Sequence, residues 1–434
     1  MQQFTGCKKH DRIREGDKSE LKAKKIKKQR VVAKEYALES SNSTGTEKTK
    51  NPKRKKNIFT QLKMFSLRSG VDIPFLFLVL TILVIGLVMM FSASYPNAYY
   101  LHHGDSFYFI RNQVIFAILG VGAMIFVSFL NYNYFHKLAV PLMGISFFLL
   151  VIVLLMPARN GVHRWVQLGS FSFQASEITK FAIVVFFSHY INLNFNRMDT
   201  FKYGIQPYLI VLCPTLVLLA LEPHISCAVI IVLLAAGMLF IGGVQLKWFG
   251  MVLGTIASAL IYLVVFTDKL TYANNRISGW LDPFGANSGV DTWQTRQGLY
   301  AIGSGGLMGL GLGNSRQKYL YIPEPQNDFI FAVVCEELGF VGAVIILLLF
   351  AMLVWRGMLI SMRAKDRFGS LLGIGLTAQV GLQVILNIAV VTNTIPNTGI
   401  SLPFFSYGGT SLLMLLAQMG VILSISRTSK IEKS

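Results

Sequence analysis

From Ile73 onward, apolar runs of about twenty residues alternate with short polar connections, the spacing a membrane-crossing helix requires. Windows over 73–94, 111–130, 137–156, 177–194, 205–222, 225–244, 248–267, 328–355, 371–393 and 406–426 predict an all-α polytopic membrane protein with ten transmembrane helices. The longest interruption, 269–327, falls between the seventh and eighth of them. The first apolar run is long enough to span, so it is expected to stay as a helix and not to be cleaved as a signal peptide. No internal repeat is evident, and a transporter built from inverted repeats gains no support.

Charge orients this pattern. The connections assigned to one side carry Lys137, Arg197, Lys202, Lys247, Arg356, Arg363, Lys365 and Arg367, whereas the short ones on the other carry little beyond Arg159 and Arg164. By the positive-inside rule both termini are cytoplasmic, and residues 269–327 form a large extracytoplasmic loop of a multi-pass protein in the cytoplasmic membrane. Of the 434 residues 53% are hydrophobic and 14% charged, which excludes an ordinary soluble protein. Residues 1–70 hold 20 of the 40 Lys and Arg but only 7 of the 21 Asp and Glu. They read as a disordered basic cytoplasmic tail lying along anionic lipid headgroups; no folded nucleic-acid motif accompanies it, and no nucleic-acid partner is expected. The membrane domain then covers 71–427, and 428–434 form a short cytoplasmic end. Cys7, Cys213, Cys227 and Cys335 show neither disulfide nor zinc spacing.

Candidate chemistry collects in the long polar stretch. Asp328 closes the run Pro323-Glu324-Pro325-Gln326-Asn327 and stands at the edge of an apolar segment, where burial is costly without a partner or a task. The glycine run 303–314 lacks the phosphate-loop signature, which leaves two readings: a tight backbone whose amides meet a pyrophosphate, or packing of re-entrant segments. Arg276, Arg296, Arg316 and Lys318 give the loop a basic side suited to an anionic headgroup. Glu336 and Glu337 follow inside the apolar span; one is expected to pair within the bundle and the other to lie near another helix. Arg164 and Trp165 suit an interfacial segment. Glu177 and Lys180, one turn apart, can pair with each other, but a lysine entering the membrane is a functional candidate, and that reading is preferred. Glu222-Pro223-His224 makes a helix break, with His224 better suited to a structural hydrogen bond than to a metal. Gln383, Asn387 and Asn393 add polar positions in the ninth span, and the small and hydroxylated residues 401–411 point to close helix packing.

Taken together, Asp282-Pro283-Phe284-Gly285, Gly311-Leu312-Gly313-Asn314-Ser315, Pro323-Glu324 with Asp328-Phe329-Ile330-Phe331-Ala332, Glu336-Glu337-Leu338-Gly339 and Pro403-Phe404-Phe405-Ser406-Tyr407-Gly408-Gly409-Thr410-Ser411 resemble the SEDS family of cell-wall polymerases, whose members are FtsW, RodA and SpoVE. The last motif is similar to its FtsW and SpoVE form, which favours cell division or spore cortex over elongation. The resemblance covers about residues 72–426. It implies a ten-helix peptidoglycan glycosyltransferase polymerising lipid II on the outer face of the membrane. It makes Asp328 the essential acid and Lys180 its partner. Glu177, Arg164 and Trp165 fall in the same cavity, and Arg276, Glu324, Ser406 and Tyr407 are further cavity or substrate residues. Where the family commonly reads Gln-Pro-Asp-x-Gly-Thr this chain has Glu222-Pro223-His224-Ile225-Ser226-Cys227, so no role carries over there.

The implied chemistry is one inverting displacement, with Asp328 as general base. The loop arginines, or a divalent cation such as Mg or Mn, would stabilise the departing pyrophosphate. A Lys180–Asp328 pair would weaken the base, so substrate is expected to draw Lys180 away. Expected partners are lipid II, the glycan on undecaprenyl pyrophosphate, a class B penicillin-binding protein and other division or sporulation proteins. The alternatives are a lipid II flippase and a non-catalytic scaffold for the penicillin-binding protein.

Overall fold

The Asp72 carboxylate accepts the Phe75 amide hydrogen at 3.0 Å and Pro74 sits in the following turn, a pairing that starts a helix well. The computed structural model describes residues 70–156, 164–168, 171–222, 224–251, 279–285 and 292–429. Its elements are α1 (Ile73–Leu101), α2 (Tyr108–Phe129), α3 (Asn133–Leu155), β1 (Trp165–Leu168), β2 (Phe171–Gln174), α4 (Ala175–Asn194), the single turn α5 (Phe201–Gly204), α6 (Gln206–Leu221), α7 (Ile225–Ile241), α8 (Trp293–Ser304), α9 (Ile330–Met362), α10 (Arg367–Val391) and α11 (Gly409–Thr428). Among the described residues α1 to α4 and α9 to α11 are long and apolar enough to cross a membrane; α6 and α7 are shorter apolar helices. The span expected at 248–267 lies outside the described residues beyond Met251, as do the basic tail to residue 69 and residues 430–434.

One departure from an all-helical chain is a hairpin. β1 and β2 pair antiparallel with Trp165 opposite Gln174 and Val166 opposite Phe173. The alternation of Trp-Val-Gln-Leu and Phe-Ser-Phe-Gln about a Gly-Ser pair is a strand pattern, masked in the sequence by its place between two apolar spans.

Two polar clamps, one part-buried and one fully buried, join α1 to α9. At one end Arg356 grips Asp72 through both carboxylate oxygens at 3.0 and 2.9 Å, and the Asp72 amide donates to Ser426 Oγ of α11. At the other end Ser92 Oγ donates to Glu337 at 2.7 Å, and Lys318 Nζ lies 2.8 Å from the same carboxylate. Asp72 to Ser92 is twenty residues and Glu337 to Arg356 nineteen. At a rise of 1.5 Å per residue each stretch is about 30 Å long, one hydrocarbon thickness, and neither holds a charge between its ends. The two clamps are therefore about one hydrocarbon thickness apart along the helices. The first seven residues of α9 and the last nine of α1 extend past the second clamp.

At that level α9 breaks. Gly339 has φ 68° and ψ −171°, which frees the carbonyls before it and the amides after it. The glycine run repairs the break: Leu310 and Gly311 donate to the carbonyls of Glu336 and Glu337, and Phe340 and Val341 donate to those of Gly306 and Leu307. These loop amides are thus committed to α9, and the packing reading of the run prevails over the pyrophosphate one. A Cβ at position 339 would stand 2.2 Å from the Gly309 nitrogen. Gly339→Ala is therefore expected to cost at least about 2–3 kcal/mol, from positive φ and overpacking together, read as a lowered midpoint of thermal unfolding in detergent. On the far side of the bundle α2 and α11 approach closely at glycine, with Gly409 under the Phe116 ring and Gly420 against the Met124 carbonyl, as the small residues predict.

Candidate active site

Asp328 sits two residues ahead of α9, its own backbone carbonyl held by a side chain of α10. Asn387 Nδ2, from α10, donates to the Asp328 carbonyl at 2.8 Å and to the Ile400 carbonyl at 2.6 Å, tying the start of α9 to the segment that leads into α11. Gly399, at φ 68°, leaves room for the acid: a Cβ there would lie 3.2 Å from Asp328 Oδ2. The side chain keeps a partial opening to solvent. The protein packed around it, and next the charge of Glu324, push its carboxyl up to about 6. Glu324 is exposed, at φ 44°, and accepts from Asn327 Nδ2 at 2.6 Å.

A second set of bonds fixes the wall opposite. The Tyr407 amide donates to the Gln326 carbonyl at 2.8 Å, and Asn97 of α1 donates to the Gln326 side chain. Gln113, wholly buried in α2, donates to the Ser406 carbonyl and accepts from the Gly408 amide. Ser406 Oγ accepts from the Leu402 amide at 2.7 Å, and the Tyr407 ring meets Phe109 edge-on. These contacts bring the motif before α9 and the motif before α11 together. Sequence reasoning missed the roles of Gln113, Asn97 and Gln326; only Gln113 carries a signal, an amide inside an apolar span.

Between these walls and α4 lies a narrow cavity of about 20 Å³, room for little more than a water molecule, lined by Glu177, Gln379, Gln383, Ser401, Leu402, Pro403, Phe404, Ser406, Ser411, Leu412, Leu415 and Gln418. Asp328 is not among the lining residues; it packs on Gly399, two residues before Ser401 in the chain. Lys180 Nζ pairs with Glu177 at 2.8 Å, and among the described residues no ion pair links it to Asp328. The lysine is thus satisfied by the local partner that helical spacing offers, and the pairing expected from the resemblance is not formed. Trp165 and Arg164 are half-buried beside the hairpin. Arg164 faces Glu222, whose carboxyl burial pushes up to about 7 against the pull of that cation. His224 meets Gln174 at 3.4 Å, the structural hydrogen bond expected of it. Burial, then Arg164 and Lys180, push its imidazole down to about 3, so it is neutral.

The basic side of the long loop is smaller than its sequence suggests. Lys318 is 2% exposed and bonded to Glu337, Ser92 and the Gly313 carbonyl, so it is not offered to a headgroup. Arg316 is exposed, Arg296 half-buried near the Trp293 ring, and Arg276 lies outside the described residues. Glu336 accepts from Ser315 Oγ and from the amides of Arg316 and Gln317, so both adjacent acids have partners. Among the described residues no group of three or more His, Cys, Asp or Glu converges to hold a metal ion.

Fold and site together define a multi-pass membrane protein with a half-sheltered acid beside a polar cavity. The model of a family of cell cycle proteins, FtsW, RodA and SpoVE, matches residues 73–431. The chain is 39% identical over 372 residues to stage V sporulation protein E of Bacillus subtilis, covering 85% of this chain and all of that one. It is 37% identical over 364 residues to a probable peptidoglycan glycosyltransferase FtsW of Trichlorobacter lovleyi, covering 83% and 94% of the two chains. Among solved structures, a chain of a peptidoglycan synthase complex, solved for the structural coordination of polymerization and crosslinking, superposes with a TM-score of 0.69 at 26% identity, covering 83% of this chain and 99% of that one. The rod shape determining protein RodA of Thermus thermophilus gives 0.61 at 26% identity, covering 83% and 98%. The chain belongs to the FtsW/RodA/SpoVE family.

Proposed function

We propose that this protein is a peptidoglycan glycosyltransferase that polymerises lipid II at the outer face of the cytoplasmic membrane, with Asp328 as general base. The observation that supports the assignment of the base is the half-sheltered carboxylate packed on Gly399, two residues before cavity-lining Ser401, in a chain of this family. The 4-hydroxyl of the acceptor sugar attacks the anomeric carbon of the chain carried on undecaprenyl pyrophosphate. As the new carbon–oxygen bond forms, the hydroxyl proton passes to Asp328 and the bond to the pyrophosphate oxygen breaks, inverting the α-linked donor to a β-1,4 product. A carboxyl near 6 is largely ionised at neutral pH and is a stronger base than an ordinary aspartate. Lys180, held by Glu177, does not weaken it.

In the same reading residues 248–267 supply the tenth span, both termini are cytoplasmic, and the loop 269–327 is extracytoplasmic. Arg316, Arg296 and Arg276 then stand on the side where the pyrophosphate departs. Residues 1–70 form a tail along the inner leaflet. The partner is a class B penicillin-binding protein, in keeping with the synthase complex from which the similar solved chain comes, and the setting is division or sporulation, in keeping with the relatives.

The test is glycan formation from purified lipid II in detergent, with the class B partner present. A ladder of glycan chains is expected. A folded protein that moves lipid II across vesicles and lengthens no glycan would replace this reading with the flippase one.

A further inference from the structure

The start of α8 lies against both chain segments that carry Asp328. Trp293 Nε1 donates to the Tyr321 carbonyl at 2.8 Å. Further along, Gly298 is so close to the Phe329 ring that a Cβ there would stand 2.7 Å from it. Between the two, half-buried Gln294 uses both ends of its side-chain amide. Its Nε2 donates to the Pro323 carbonyl at 3.3 Å, and its Oε1 accepts from Asn397 Nδ2 at 3.4 Å. Asn397 Oδ1 in turn accepts at 3.2 Å from the amide of Gly399, the residue on which the Asp328 carboxylate packs.

The acid is therefore strapped from two sides. Asn387 of α10 fixes the Asp328 and Ile400 carbonyls, and Gln294 of α8 joins the same two segments a few residues further out. A glutamine suits the task because one planar group supplies both a donor and an acceptor without a charge. These bonds do not serve the end of α8 itself. No side chain caps its first turn, yet Gln294 spends its acceptor on Asn397 and not on the free amides there. We infer that Gln294 is a positioning residue: by tying the segment before Asp328 to the segment that holds Gly399, it sets where the carboxylate stands and limits the water that reaches it. The inference rests on the reading of Asp328 as the base and adds to it a residue that acts through Asn397 and Gly399.

The experiment measures initial rates against lipid II concentration, from about pH 5 to about pH 8, for the full-length protein with its class B partner. Wild type is compared with Gln294→Met, which keeps the length of the side chain and removes both bonds. Gln294→Glu keeps the acceptor for Asn397 and loses the donor to Pro323. For Gln294→Met, kcat is expected to fall between about tenfold and a hundredfold, as for a misplaced reacting group, with KM changed less than about twofold. Its pH inflection should also move below that of wild type, because water admitted at Gly399 relieves the burial that raises the Asp328 carboxyl, while the charge of Glu324 is unchanged. Gln294→Glu should recover most of the rate, and its added negative charge keeps the inflection at or above the wild-type value. Gln294→Ala, which puts no apolar bulk at a half-buried position, carries the test if the methionine variant unfolds early. Wild-type rates from the methionine and alanine variants would overturn the inference. So would a lower rate at an unmoved inflection, which is what a merely structural role produces. If Asp328→Asn polymerises as wild type does, the base reading fails and Gln294 falls with it; an inactive Asp328→Asn leaves the Gln294 variants to decide alone.

Discussion

Asp328→Asn is expected to slow glycan synthesis by at least about a hundredfold, towards the ten-thousandfold that a positioned base contributes, in a protein that folds as the wild type does. Asparagine keeps the shape of the side chain and leaves the Asn387 bond to the backbone carbonyl untouched, so the loss isolates proton transfer. Its signature is a pH profile. The base acts ionised, and its carboxyl is raised to about 6 by burial first and Glu324 second. Activity is therefore full above that value and falls as pH drops through it, about tenfold per unit once the carboxyl is mostly protonated. Glu324→Gln removes the neighbouring charge but keeps an acceptor for Asn327, so the inflection should move to lower pH with little loss at neutral pH. Equal rates from wild type and Asp328→Asn would remove Asp328 as the base. A flat profile between pH 5 and 7, alongside a dead Asp328→Asn, would leave it a binding role only.

The helices were the legible part of the sequence because apolar length is a local property: runs near twenty residues announce themselves whatever they pack against. The span lengths could not show the two clamps, Asp72 with Arg356 and Ser92 with Glu337 and Lys318, because each joins residues more than two hundred positions apart. The hairpin at 165–174 was hidden because its strands are four residues each. Asp328 was legible through cost, since a lone acid at an apolar edge demands a reason. The fate of Lys318 was not: from sequence it is one more cation in a polar loop, and only the fold carries its ammonium past Ser92 to Glu337. Lys180 illustrates the reverse. Helical spacing already offered Glu177, and that nearest partner is the one it takes.

The buried pair of Lys318 and Glu337 carries the largest expected effect on stability. The ammonium has three acceptors, Glu337 Oε1 at 2.8 Å, the Gly313 carbonyl at 2.7 Å and Ser92 Oγ at 3.1 Å, so each of its protons is used. The carboxylate takes Lys318, Ser92 and, at 3.4 Å, the Ser315 amide, and both side chains are within 2% of complete burial. Lys318→Met would leave Glu337 charged and enclosed, at a cost of about 3–5 kcal/mol, a large share of the ~5–15 kcal/mol that holds a typical protein together. Replacing both, as Lys318→Met/Glu337→Leu, should recover most of that loss, because the penalty lies in the stranded charge more than in the missing attraction. Thermal unfolding of the two variants in the same detergent decides it. A single variant as stable as wild type would mean that water reaches the pair. The pair also bears on catalysis: it closes the chain between residues 318 and 337 with Asp328 near the middle. If the double variant is stable but polymerises slowly, the clamp's task is to hold Asp328 in place; if it polymerises at the wild-type rate, Asn387 and Gly399 suffice for that, and the ion pair serves the fold alone.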